Sequence, residues 1–133
     1  MEFVALAHRD YLELTIAGEF NLAEGKAQVD ELYRLCAQHA LSRVLINAGD
    51  LSENVSVGSR FNMGEYLATS GTRPVRIAIL TTRKVIEDSK ALENTANNRG
   101  AQVMTTDRLD QAMKFLGLEI ASHRETSNNP ESP

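Results

Sequence analysis

Three times in succession the chain sets a short apolar run ahead of a stretch with helical spacing, and this alternation limits the fold more than any other feature. Val44, Leu45 and Ile46 lead the first unit, Val75, Ile77, Ala78, Ile79 and Leu80 the second, and Gln102, Val103 and Met104 the third. The first two runs do not alternate with polar residues, as expected of strands covered on both faces. Helical crossovers return the chain in the same direction, so these strands should lie parallel.

Ahead of them, Phe3, Val4, Leu6 and Ala7, then Leu12, Leu14 and Ile16, form two strand-like runs separated by Arg9 and Asp10. They read as a hairpin that adds an antiparallel edge strand. The resulting order is β-β-α-β-α-β-α-β-α. It predicts a single α/β domain with a mixed, mostly parallel sheet of about five strands and about four helices. The domain is expected over 1–118, followed by a disordered tail over 119–133, which ends SHRETSNNPESP without apolar residues.

The helices carry their own signals. Asn21 is placed to cap the first, with Glu24 completing a capping-box-like pair, and the helix runs over about 22–39. Leu22, Val29, Leu32, Tyr33 and Cys36 share its inner stripe, and His39 falls in the last turn, where an imidazole complements the dipole. The second helix carries Phe61, Gly64, Tyr66, Leu67 and Ala68 and ends near Ser70 and Gly71. The third places Val85, Ile86, Leu92 and Ala96 inward and stops at Gly100. Thr106 or Asp107 is expected to cap the last, with Leu109, Ala112, Met113 and Leu116 buried.

Composition narrows the function classes. With 133 residues, 42% of them hydrophobic, the chain closes one core without disulfide or metal staples. Its 14 Lys and Arg are scattered and outnumbered by 18 Asp and Glu. Nucleic acid is therefore not expected as a partner. No apolar run reaches the ~18–20 residues that span a bilayer, and Glu2 stands where a signal peptide would be basic. The expected location is the cytoplasm, without membrane insertion. Cys36 is expected to be buried and inert.

The stretch 43–68, RVLINAGDLSENVSVGSRFNMGEYLA, holds the candidate site. An apolar strand over 43–47 runs into a polar loop with Gly49, Asp50, Ser52, Ser56 and Gly58, and the loop into a helix. Helix N-termini beside the carboxyl ends of strands are where α/β proteins bind ligands. Neither the dinucleotide pattern G-x-G-x-x-G nor the phosphate loop G-x-x-x-x-G-K-[ST] is present. A phosphorelay receiver would need an acidic pair after the first strand and a Lys after the last, where this chain has Ala7-His8 and Thr105-Thr106. Ser56, His8 and Asp50 lack a nucleophile elbow, and the three His are too dispersed for a metal. No catalytic residue, cofactor or metal is assigned.

With the elements in this order, the chain resembles the STAS-like, or SpoIIAA-like, superfamily of bacterial regulatory domains over about Met1–Leu118. The resemblance rests on VLINAGDLSENVSVGS, RIAILTT and TTDRLDQAMKFLG. Classical anti-sigma-factor antagonists carry D-L-S-x-[VL]-x-[FY]-[IM]-D-S-S-G there, with a phosphorylated Ser at the helix start. Aligned on Gly58, Ser56 takes the phosphorylated position, Val57 the second Ser, Val55 the Asp, and Asn47 the strand-end Asp. The resemblance implies a non-enzymatic module switched by phosphorylation at Ser56 or Ser59. It would engage a protein partner through Asp50, Ser52, Ser56, Gly58, Ser59, Arg60 and Phe61. Both serines are also natural N-caps. An alternative on the same scaffold is a carrier of a small, lipid-like apolar ligand lined by Phe61, Met63, Tyr66 and Leu67. A homodimer through an apolar edge strand or helix face is compatible with either.

Overall fold

The protein, seen in a computed structural model, is described over residues 1–52, 54–71 and 74–119. Among these the strands are β1 (Glu2–Ala7), β2 (Leu12–Gly18), β3 (Arg43–Leu51), β4 (Arg76–Leu80) and β5 (Gln102–Thr106). The helices are α1 (Leu22–His39), α2 (Val57–Ser70), α3 (Ile86–Asn98) and α4 (Leu109–Phe115). The strands lie in sequence order, β1 antiparallel to β2 and the rest parallel. This is the predicted α/β architecture. The tail expected to be disordered, from residue 120 onward, lies outside the described residues.

Sequential order with right-handed crossovers places α1, α2 and α3 on one face of the sheet. There Leu14, Val44, Ile46, Ile77 and Val103 meet Leu32, Met63 and Ala96 in the larger core. On the opposite face Tyr11, Leu45 and Ala78 pack with Ala112, Met113 and Leu116 of α4. Val44 and Ile46 thus face one way and Leu45 the other, which accounts for the unbroken apolar run.

The two sheet edges differ. On β5 the Val103 N–H donates to Asn97 Oδ1 at 2.8 Å, and Asn97 Nδ2 donates to the Val103 carbonyl at 2.9 Å. The Thr105 N–H donates to Glu93 Oε1, and Lys90 Nζ donates to the Thr105 carbonyl at 3.1 Å. Side chains of α3 therefore satisfy the outward main-chain groups of β5 and close that edge to another strand. On the opposite edge, β1 leaves Val4 and Leu6 62% and 50% exposed.

Helix ends follow local chemistry. Asn21 Oδ1 accepts the Glu24 N–H at 3.0 Å, as expected of the α1 cap. The α1 C-terminus turns through Ala40 at φ 55, with the Leu41 N–H donating to the Cys36 carbonyl at 2.9 Å. Glycine suits this left-handed turn better, because a Cβ there crowds the following carbonyl by ~1–2 kcal/mol. Against this stands the extra unfolded-state freedom of glycine, ~0.4–1 kcal/mol. Ala40→Gly is therefore expected to raise stability by about 0.5–1 kcal/mol. A lower urea midpoint would contradict it.

At α4 the expected cap needs correction. Thr106 is still in β5 and the N-cap position is Arg108. The Thr106 hydroxyl nevertheless accepts the Arg108 N–H at 3.1 Å and donates to Gln111 Oε1 at 2.8 Å. It orders the turn from two residues before the cap position.

Candidate functional site

Strand β3 runs further than the expected 43–47. It leaves β4 at the Asn47–Leu80 pair and continues beside β2 as far as Leu51. Between Asn47 and Asp50, β3 advances three residues while β2 advances two, Thr15 to Ala17, and this is a bulge. Asn47 Oδ1 accepts the Gly49 N–H at 3.2 Å and holds the irregularity. Gly49 and Asp50, expected in the loop, are thus strand residues, and the connection to α2 is shorter.

Ser52 follows at once and is anchored. Its N–H donates to the Gly18 carbonyl at 2.8 Å and its Oγ accepts the Phe20 N–H at 3.0 Å, tying the loop to the β2–α1 turn. Ser56 is the N-cap of α2, its Oγ accepting the Ser59 N–H at 3.0 Å. Gly58, also expected in the loop, lies inside the first helical turn. That turn contains no acidic residue, and the Ser56 hydroxyl caps the positive end of the helix dipole.

The side chains then divide. Asp50, Ser56, Gly58 and Phe61 are exposed and Ser59 is half-buried. Val57 is 69% and Phe61 46% exposed, one helical turn apart, so an apolar pair stands beside the Ser56 hydroxyl. The Arg99 guanidinium lies 5.3 Å from the Phe61 ring centre and 3.4 Å from Glu65, framing the pair with charge. Arg60, by contrast, is buried. Its Nε donates to the Val55 carbonyl at 3.3 Å and its Nη1 to Ser89 Oγ at 3.2 Å, fastening the loop and α2 to α3. Arg60 shares the helical phase of Met63, Gly64 and Leu67, a signal present in the sequence.

The constellation of Ser56, His8 and Asp50 is not assembled. Ser56 and Asp50 sit at the carboxyl end of the parallel strands, whereas His8 follows β1 beside the start of β2. There its Nε2 lies 2.7 Å from Glu13 Oε1 and its ring stacks on Tyr11 at 4.3 Å. Burial pushes the Tyr11 phenol well above its ordinary range, with the Glu13 charge adding to it, and burial likewise raises Tyr33. Both lie away from the loop. Among the described residues no cluster of three or more His, Cys, Asp or Glu is placed to hold a metal, and no helix is long and apolar enough to cross a membrane.

Between the sheet and α1–α3 lies a cavity of about 120 Å³. Met63 and Leu67 line it, as do Leu14, Leu32, Ile46 and Arg60. Phe61 and Tyr66, grouped with Met63 and Leu67 in the carrier reading, do not. Phe61 faces solvent, and the Tyr66 hydroxyl donates to Asp30 Oδ1 at 2.8 Å.

No protein-family model matches the chain, and no curated protein matches it by sequence. Among solved structures it is similar to the anti-sigma factor antagonist SpoIIAA in its unphosphorylated form. The superposition has a TM-score of 0.51 and 12% identity, and covers 89% of this chain and 99% of that one. At that identity the likeness speaks for architecture, which agrees with the strand order and helix placement above. The chain therefore has the SpoIIAA-like, STAS-type fold.

Proposed function

We propose that the protein is a non-enzymatic regulatory module of the bacterial cytoplasm that docks a protein partner through the start of α2. The observation that carries this reading is the exposed apolar pair Val57 and Phe61 beside the Ser56 hydroxyl, at the carboxyl end of the sheet. The similarity to an anti-sigma factor antagonist supports it. Asp50, Gly58 and Ser59 complete the surface, while Ser52 and Arg60 hold the loop in shape from inside.

Phosphorylation of Ser56 is the proposed switch. A phosphate there adds about −1.5 to −2 charge beside the first N–H groups of α2, whose first turn carries no acidic residue. It would sit well on the helix and badly against an apolar or acidic partner.

The test separates the cap from the switch. Aspartate caps helices as well as serine. Ser56→Asp should therefore keep the stability of the wild type yet lose the partner in quantitative affinity purification from the native cell. Ser56→Ala should keep the partner while losing about 1 kcal/mol of stability. Phe61→Asp should lose the partner without unfolding. Equal recovery by all four proteins would sink the proposal, and phosphopeptide mapping of the recovered protein tests the modification itself. A homodimer built by sheet extension has β1 as its edge, since α3 closes β5.

The cavity supports a second reading, a carrier of a small apolar ligand. An apolar void of about 150 Å³ holds a molecule such as benzene, and this one is of similar size.

A further inference from the structure

The polarity of the cavity is graded across the sheet. The void extends from Leu14 and Ile16 on β2, past Ile46 on β3 and Ile79 on β4, to Thr105 on β5. Phe3, Phe20 and Leu32 close it near β2. Toward β4 and β5 its wall is made by Thr81, Ser89, Thr105 and the Arg60 side chain. The end near β2 is mainly hydrocarbon, its polar lining groups being Gln28, Ser52, whose Oγ accepts the Phe20 N–H, and Met1, whose ammonium pairs with Glu24, and the other end holds hydroxyls and the guanidinium.

Arg60 is 8% exposed, and among the described residues no carboxylate lies within ion-pair distance of it. Its Nε and Nη1 donate to the Val55 carbonyl and to Ser89 Oγ, and the Ser89 hydroxyl donates in turn to the Val85 carbonyl at 2.8 Å. A guanidinium has five N–H groups in a planar fork. Nη2 makes no hydrogen bond among the described residues, so part of the fork remains unused. A buried cation without an anion is costly, and it is the one charged side chain among the described lining residues.

We propose that this cavity binds a short- to medium-chain aliphatic carboxylate, its tail among Phe20, Leu32 and Leu14 and its carboxylate on the free edge of the Arg60 guanidinium. The inference rests on the carrier reading and adds to it a charge and an orientation. A single guanidinium suits a monoanion, because a phosphate dianion would need a second free cation, and the Met1 ammonium, the other cation of a lining residue, is already paired with Glu24 at 3.4 Å. The volume fits a tail of the hexanoate class.

Hexanoate and 1-hexanol both have six carbons and differ in the head group, so the two test different claims. Each is titrated into the full chain and followed by NMR at the Met63 methyl, in wild type, Arg60→Met and Arg60→Lys. The wild type is expected to bind both, hexanoate more tightly. Arg60→Met should weaken hexanoate by roughly ten- to hundredfold and leave 1-hexanol unchanged, the span of a hydrogen bond to a charged group. Arg60→Lys, which keeps the cation, should retain part of the hexanoate affinity. Should Arg60→Met fail to fold, the wild-type preference and Arg60→Lys decide. If 1-hexanol binds and hexanoate binds no better, or Arg60→Met leaves hexanoate binding intact, the carboxylate assignment is overturned while the carrier reading stands. If neither compound perturbs Met63, both fail.

Discussion

Gly64→Ala is expected to destabilise the protein by about 1–3 kcal/mol, although alanine is the better helix former. Gly64 lies where α2 crosses α3. A Cβ built there falls 2.6 Å from the Leu92 carbonyl oxygen, 3.0 Å from Thr95 Cβ and 3.3 Å from the Ala96 nitrogen. Two of these neighbours are backbone atoms, which do not swing aside as the end of a long side chain does. Helix α3 is not free to retreat either, since Glu93 and Asn97 bind the main chain of β5. The gain from helix propensity, about 1 kcal/mol, is therefore outweighed. Gly58→Ala provides the contrast within the same helix, because a Cβ there meets nothing nearer than Ser56 Oγ at 4.0 Å. The two substitutions should move the urea midpoint in opposite directions. Identical shifts would show that α2 and α3 are not packed this closely.

Much of this architecture was legible because the signals are local. Asn21 caps α1 over a three-residue reach, and Val29, Leu32 and Cys36 repeat at helical spacing, so the element and its buried face emerge together. The run through Val44, Leu45 and Ile46 marks a strand sandwiched between two cores, as found. The continuation of β3 to Leu51 was hidden, because Asn47, Gly49 and Asp50 are turn formers and here build a bulge within a strand. Sealing of the β5 edge was hidden too. It depends on Glu93 and Asn97 reaching main-chain groups of another element, which spacing along α3 does not encode.

The candidate site divides in the same way. Its location, a strand followed by a loop and a capped helix, follows from residue order. Ser56 caps as its type favours. The resemblance puts Arg60 in the partner-binding set, and arginine is rarely buried, yet its phase with Met63, Gly64 and Leu67 places it inside. The cavity beside it had no sequence signal, because a void is the remainder left by many side chains and belongs to none of them.

Leu45→Ala is expected to cost more than Gly64→Ala, about 2–5 kcal/mol, and to act on the opposite face of the sheet. Leu45 lies in β3, the middle strand, and is 1% exposed in a cluster with Tyr11, Ala78, Ala112, Met113 and Leu116. Truncation leaves a hole between two elements that are unequal in their ability to persist. The sheet is held by its ladders and by the larger core, but α4 has 7 residues, too few to be helical on its own. Its position depends on this apolar contact and on a polar anchor. Arg76 Nη1 donates to the Phe115 carbonyl at 3.0 Å, with the guanidinium 5.5 Å from the Phe115 ring centre. The anchor is exposed and worth little by itself. Amides of α4 are therefore expected to lose hydrogen-exchange protection in Leu45→Ala before those of α1 or β3. Met113→Ala, which opens the same contact from the helix side, should produce the same local pattern. The double variant should cost less than the sum of the two, because either change alone already loosens the shared contact. Full additivity with α4 still protected would mean that α4 is held by something other than the second core.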